Sequence, residues 1–337
     1  MKDSHGRTID YLRISLTDRC NLRCVYCMPA DGILQVPHDT ILRYDEIVRF
    51  VQVAAQRGVR RVRLTGGEPL VRKGVAGLIE RLSVIEGIDD ISLTTNGVLL
   101  KKMAPELHRA GLRRVNISLD TLDPAQFTQI TRLGHIESVL EGIDAALEVG
   151  FDPVKINAVA VRSLQQDYLA FAKLSLDRPL HIRFIEYMPV GNSSGTCGAG
   201  WGPEDVVSCD DIRRQIDEGA QAAGIGALVA AEGNNRPVGG GPARYYHFPQ
   251  ALGTVGFISP LSRHFCGDCN RLRLTSTGGL RPCLFSDKEY DVRTPLRAGN
   301  DAALNAVIDA ACGMKPSEHH EGDHARATQT NMNAIGG

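Results

Sequence analysis

The chain has no run of about 18 apolar residues, the length a membrane-spanning helix needs, so no transmembrane helix is expected. Residues 1–8 are polar and hold no apolar stretch of the kind a secretory signal carries, so none is expected there. Charge of one sign is not in excess: 38 Lys and Arg stand against 39 Asp and Glu. That balance supplies no general field for nucleic acid or an anionic membrane. No short repeat of solenoid type occurs. The expected setting is a reducing cytoplasm. There, 9 cysteines read as metal or redox groups rather than disulfides.

Cysteines are also what the chain has in a pattern. Cys20, Cys24 and Cys27 lie in Thr17-Asp-Arg-Cys-Asn-Leu-Arg-Cys-Val-Tyr-Cys-Met-Pro29, at spacing C-x3-C-x2-C. Three thiolates can hold three irons of a cubane that ordinarily takes four cysteines. The next cysteine is Cys197, so no fourth ligand is at hand and one iron is left open. An open coordination position separates a reactive metal site from a closed structural one. The bland alternative is three buried apolar thiols. Arg19, Asn21 and Arg23 interleave the cysteines and argue against it.

The length allows one large or two ordinary domains. Up to about residue 190, β-branched runs at 11–16, 59–64, 90–94, 114–119, 154–161 and 180–185 alternate with amphipathic stretches at 44–57, 71–85, 99–110, 136–149 and 164–174. Such alternation predicts βαβ units on a parallel sheet. About six units are fewer than the eight of a closed TIM barrel, so an incomplete TIM-type barrel or an open doubly wound sheet fits. Ligands of both folds bind at the carboxyl ends of strands. The first cysteine run, Thr65-Gly-Gly-Glu-Pro69 and Thr94-Thr-Asn-Gly97 all follow strands, and are expected to meet on one rim. Residues 191–202 and 232–243 are glycine-rich and read as loops. Strands and turns then run over 244–297, and 315–330 reads as a polar, mobile linker. The expected division is 1–190, 191–314 and a tail, 315–337.

A second cysteine set, Cys266, Cys269 and Cys283, has spacing C-x2-C-x13-C. Spacing alone suits a zinc site, with His264 as a fourth ligand, as well as a second cluster. Arg271 and Arg273 follow directly, and alternation along a strand puts both on one face. Two guanidiniums beside a metal site suit a phosphorylated ligand. Their bland reading is a solvated strand face. Cys197, Cys209 and Cys312 show no ligand spacing and are expected to be chemically idle.

The first run, with Tyr26 before its third cysteine, together with Thr65-Gly-Gly-Glu-Pro69, resembles the signature of radical S-adenosylmethionine (SAM) enzymes. Glycine at 66 and 67 is expected to let backbone approach a ligand closely. Tyr11-Leu-Arg-Ile-Ser-Leu-Thr-Asp-Arg-Cys20, Phe184-Ile-Glu-Tyr-Met188, Asn270-Arg-Leu-Arg273 and the final Gly336-Gly337 resemble, over essentially the whole chain, the GTP 3′,8-cyclase family of molybdenum cofactor biosynthesis. That resemblance implies a [4Fe–4S] cluster on Cys20, Cys24 and Cys27, and a second one on Cys266, Cys269 and Cys283. It implies SAM contacts from Tyr26, Gly67, Ser118 and Met188. It implies GTP contacts from Arg13, Arg63, Thr94, Lys155, Arg271, Leu272 and Arg273, with Arg271 and Arg273 also catalytic. A radical drawn from SAM would join C3′ of GTP to C8, and cyclic pyranopterin monophosphate synthase would consume the product. The Gly-Gly end would enter the active site. A peptide-modifying radical SAM enzyme with an auxiliary cluster, and a non-enzymatic metal scaffold, are the competing readings. The electron donor is left open, and so is the oligomeric state, a homodimer among the alternatives.

Overall fold

The computed structural model describes residues 1–33, 36–188, 200–239 and 241–318. Cys197, His319, His320, His324 and Gly336-Gly337 lie outside the described residues.

All six expected strands form: β1 (Tyr11–Ser15), β2 (Arg61–Thr65), β3 (Asp90–Thr95), β4 (Arg114–Ser118), β5 (Val154–Ala160) and β6 (Leu180–Glu186). The five expected helices form as α1 (Tyr44–Gln56), α2 (Val75–Ser83), α3 (Leu100–Arg109), α5 (Ile136–Glu148) and α6 (Tyr168–Lys173). A further helix, α4 (Pro124–Thr131), was not expected. Two turns are too short to show a period, but its start signal is in the sequence. Asp123 accepts a hydrogen bond from the Gln126 amide, and Pro124 takes the first helical position.

Beyond residue 200 come α7 (Cys209–Ala222), β7 (Val229–Ala230), β8 (Arg244–His247), β9 (Thr254–Ile258), β10 (Arg271–Leu274), β11 (Gly279–Arg281), β12 (Tyr290–Asp291), α8 (Arg293–Arg297) and α9 (Asp301–Gly313). These strands join the same sheet at both of its edges. The order is β12-β11-β10-β1-β2-β3-β4-β5-β6-β9-β8-β7. β10 adds to β1 and β9 adds to β6, each in parallel, which extends the six expected strands at both ends. The hairpins β11-β12 and β8-β7 then occupy the edges, so the barrel stays incomplete. The fold is an α/β partial TIM-type barrel.

Alternation sorts each strand into two faces. Leu12, Ile14, Val62, Leu64, Leu93, Val115, Ile117, Ile156, Ile182 and Phe184 make one face and join helix residues such as Phe50, Ile79, Leu107, Ile143 and Phe171 in a single core. The other face carries Arg13, Arg63, Ser92, Thr94, Asn116, Lys155, Asn157 and Arg183, in register across the sheet. Helices cover the apolar face, which leaves the polar residues to line the concave interior.

The start of the expected mobile linker is ordered. Lys315 is 3% exposed and its ammonium donates to the carbonyls of Arg271 and Pro282. A polar segment docks here because each polar group has a partner; the sequence showed only its lack of apolar residues.

Candidate functional site

The first cysteine run leaves the carboxyl end of β1, and all three thiols are free and half-buried. Two neighbouring strand ends hold it. Glu68, fully buried, accepts from the amides of Leu70 (3.0 Å) and Asn96 (2.7 Å) and from the Thr95 hydroxyl (2.8 Å). Burial pushes its carboxyl up to about 7, against the pull of those hydrogen bonds. The Asn96 side chain then donates to Cys20 Sγ (3.7 Å) and to Asn21 Oδ1 (2.8 Å). A chain of contacts therefore runs from Glu68 through Asn96 to the first cysteine. The sequence placed these motifs on one rim but assigned neither residue this job.

The glycines of the Thr65-Gly-Gly-Glu-Pro69 turn also admit a close approach within the chain. A Cβ on Gly67 would lie 2.3 Å from the Arg19 carbonyl oxygen, and one on Gly66 2.5 Å from that of Thr17. Gly67 and Glu68 donate their amides to Thr17 and Arg19. The close contact is with the stem of the cysteine run itself, and it sets where the thiols sit.

Burial raises the Cys20 thiol. Burial, then the charges of Cys27, Asp120 and Cys20, raises Cys24 much further. A thiol that burial and two neighbouring thiols hold back from ionising needs added positive charge, which iron brings. Among the described residues no three His, Cys, Asp or Glu side chains converge as closely as one metal ion would need. A cubane instead takes one thiolate at each iron. The donor set fits a cluster of that kind.

Tyr26 donates its hydroxyl to Asp120 Oδ2 (2.6 Å), and Asp120 Oδ1 accepts from the Val159 amide (2.9 Å). The Tyr26 ring stacks on Trp201 at 5.4 Å, and Trp201 meets Tyr187 edge-on. Ser118 ends β4, and Met188 follows β6 by two residues, both half-buried on the same rim. The structure thus gathers Tyr26, Gly67, Ser118 and Met188 at the carboxyl ends, around the first cysteines.

The second set lies at the opposite mouth. Cys266 and Cys269 precede β10, whose direction matches β1, and Cys283 follows the antiparallel β11. All three are free and half-buried. Burial pushes the Cys269 thiol up, but the Arg271 guanidinium and the Lys315 ammonium outweigh it and bring it to about 7. His264 turns its Nδ1 to the Pro260 carbonyl (3.2 Å). Cys209 and Cys312 are buried, with Sγ on the carbonyls of Ile258 and Lys2.

Between the two mouths the interior face carries cations. Arg13 pairs in register with Arg273 on one side and Arg63 on the other. Burial, then Arg273 and Arg63, pulls the Arg13 guanidinium well below its ordinary value. Lys155 is 6% exposed. Burial, then Arg183, Arg114 and Arg63, brings its ammonium down to about 6. Burial and the charges of Lys155 and Arg183 lower His181 to about 4. Arg183 donates to Asn116 Oδ1 (2.6 Å). Lys155 Nζ (2.7 Å) and Arg114 Nη1 (2.8 Å) share the Val238 carbonyl. Arg114 also pairs with the Asp90 carboxylate. The buried Thr94 hydroxyl and Asn157 Oδ1 have no hydrogen-bond partner among the described residues. So many cations and open polar atoms on one concave face constitute a site for a polyanion.

Of the expected substrate residues, Arg13, Arg63, Thr94, Lys155, Arg271 and Arg273 share this face. Leu272 does not. It alternates to the other side, is 2% exposed and packs in the core, so only its backbone can reach the interior. Arg114, Arg183 and Tyr11 were missed. Arg63 lies 5.5 Å from the centroid of the Tyr11 ring. Counting back by two from Ser118 puts Arg114 on its face of β4, but Arg183 joins them only through the register of β6 with Asn157.

The chain is 49% identical, over the full length of both, to the GTP 3′,8-cyclase of Pelotomaculum thermopropionicum. It belongs to the GTP 3′,8-cyclase family. The corresponding enzymes of Desulforamulus reducens and Heliobacterium modesticaldum are 46% and 47% identical over the full length of each chain. Within this family chain, residues 14–174 match the Radical SAM superfamily and residues 180–321 match Molybdenum Cofactor Synthesis C. Streptococcus suis SuiB bound to S-adenosylmethionine shares the fold, with TM-score 0.58 and 17% identity, covering 90% of this chain and 68% of SuiB. Among the described residues no helix is long and apolar enough to cross a membrane.

Proposed function

We infer that the chain is a radical SAM lyase that cyclises GTP to (8S)-3′,8-cyclo-7,8-dihydroguanosine 5′-triphosphate, the first step of molybdenum cofactor biosynthesis. The observation that carries this reading is the row of interior cations between two three-thiol sets at opposite mouths of the barrel. Bound in those places, two [4Fe–4S] clusters and SAM supply the radical chemistry, because cofactors carry the hard steps and the protein supplies position and field.

The residues of this chain do the rest. Cys20, Cys24 and Cys27 hold the cluster that meets SAM, while Tyr26, Gly67, Ser118 and Met188 orient SAM on the upper rim. The Gly67 amide donates to the Thr17 carbonyl, which ties this turn to the stem of the cysteine run. Cys266, Cys269 and Cys283 hold the auxiliary cluster near the guanine. Arg13, Arg63, Lys155, Arg271 and Arg273 fix the triphosphate, joined by Arg114 and Arg183, and Thr94 offers its open hydroxyl. Burial of Lys155, Arg183 and Arg273 lowers the local dielectric, which strengthens their contacts with phosphate. Arg271 and Arg273 face both the auxiliary cysteines and the phosphates, so they set the nucleotide's height between the two metal sites. The parts divide as 1–190 for radical generation, 191–314 for the auxiliary site and 315–337 as a tail whose Gly-Gly end enters the active site. A cytoplasmic enzyme that hands its product to cyclic pyranopterin monophosphate synthase fits this reading.

A peptide substrate has in its favour only the fold shared with SuiB, which is also known bound to a precursor peptide; seven interior basic side chains suit a nucleotide. The test is anaerobic reconstitution followed by assay with SAM, dithionite and either GTP or ATP. Cyclised product from GTP alone is the expected result. Formation of 5′-deoxyadenosine without any nucleotide product would sink the reading.

A further inference from the structure

The guanidinium of Arg7 has five N–H donors, the full number an arginine carries. Each has an acceptor. Nε bonds Asp3 Oδ2 (2.6 Å), and Nη1 bonds the carbonyls of Cys266 (2.7 Å) and Ser317 (3.0 Å). Nη2 bonds the carbonyls of Lys315 (3.4 Å) and Pro316 (2.6 Å). The acceptors come from three segments far apart in sequence: the N-terminal arm, the second cysteine loop and the root of the tail. The arm is itself rigid. Asp3 Oδ1 accepts from the amides of His5 and Arg7, and the Asp3 side chain is fully buried. Lys315 completes the fastening from the other side, with its ammonium 2.9 Å from the carbonyl of Arg271 and 2.9 Å from that of Pro282. Pro282 adjoins Cys283, and Arg271 is two residues from Cys269.

We propose that Arg7 and Lys315 are positioning residues that fasten Cys266, Cys283, Arg271 and the tail root into one unit, so that the auxiliary site has its working shape only when the arm and the tail root are both docked. The five-acceptor pattern carries the argument. A side chain kept only for stability needs partners, but nothing requires those of Arg7 to include backbone groups of a metal-ligand loop and of the tail, or that of Lys315 to be the residue next to another ligand. Carbonyls held this way fix the backbone from which the thiols and the Arg271 side chain project. The assignment of Arg271 to substrate rests on the function inferred above; the fastening itself does not.

The test uses the full-length chain with Lys315→Met or Arg7→Lys. The first keeps length and apolar bulk without donors. The second keeps charge but offers three donors in place of five. Amide exchange of the metal-free chain, its melting temperature, iron per reconstituted chain, and the ratio of 5′-deoxyadenosine to cyclised GTP are measured. In both variants the amides of Asp268 and Cys269, which bond Phe265 and Cys266, are expected to exchange about tenfold faster or more. Those of β3 and β4 should be unchanged, and the melting temperature should fall by no more than about 3 °C. The ratio of 5′-deoxyadenosine to cyclised GTP should rise at least tenfold, because radical generation continues while the substrate is misplaced. Parent-like exchange with a parent-like ratio overturns the proposal. So does uniform acceleration of exchange with both products falling in step, the mark of general unfolding. If the parent itself makes no cyclised GTP, the functional reading fails while the exchange measurements still decide the fastening.

Discussion

Lys155 gives the sharpest quantitative expectation. Burial and three neighbouring guanidiniums hold its ammonium near 6 in the nucleotide-free protein. At pH 8 such a group is only about 1% charged, whereas an ordinary lysine is almost wholly charged. A bound triphosphate reverses the environment. One opposite charge within 4–6 Å raises a pKa by about 1–3 units, and the triphosphate brings several. Two units, about 2.7 kcal/mol of added interaction, bring Lys155 level with pH 8, and a third leaves it about nine-tenths protonated. Binding should therefore take up close to one proton. The sign follows from linkage: the complex holds one proton more than the free enzyme. GTP affinity should fall as pH rises above about 6, by up to tenfold per unit, until the bound-state value is reached. His181, near 4, would need a rise of about four units to contribute, so it adds little at pH 8. The assay is calorimetric titration of GTP into metal-reconstituted enzyme at pH 8, in buffers of differing ionisation enthalpy. The dependence of heat on buffer enthalpy gives the protons taken up. The same titration with Lys155→Met should give almost none. Heat independent of buffer, or an unchanged proton count in the variant, refutes the reasoning.

Anaerobic reconstitution should load about eight irons per chain, four per cluster, and replacing Cys266, Cys269 and Cys283 together by Ala should leave roughly half; zinc bound to that set after anaerobic purification would contradict this. Cys24→Ala should abolish 5′-deoxyadenosine, while the triple variant should still make some without cyclised GTP; equal SAM cleavage by both would reverse the cluster assignment. Arg271→Ala removes a charge-assisted contact of about 1.5–3 kcal/mol and should weaken GTP binding about ten- to a hundredfold, with SAM binding unchanged, as equilibrium titration of each ligand would show. A chain ending at Ile335 should melt normally, load both clusters and bind GTP, yet lose cyclase turnover; a full-length rate would reduce the Gly-Gly end to an ordinary tail.

What the sequence determined by itself was everything local. The spacing of Cys20, Cys24 and Cys27, the alternation that puts Arg271 and Arg273 on one face, and the six βα units are all short-range patterns. They are visible because a ligand run or a strand is built from near neighbours. Tertiary structure decided what depends on distant segments meeting. β9 and β10 are too short to declare that they extend the sheet at opposite edges, yet that placement sends the second cysteines to the far mouth and leaves the cationic interior between the two cysteine sets. Arg114 and Arg183 looked like ordinary strand residues until register brought them beside Lys155. Leu272 sits among residues expected to meet substrate, and only its parity on β10 shows that its side chain belongs to the core. The glycines at 66 and 67 were legible as sites of close approach, but only the fold shows that Thr17 and Arg19 lie against them. Lys315 looked like the start of a solvated linker because composition records polarity and not partners. Two backbone carbonyls, from segments more than thirty residues away, bury its charge.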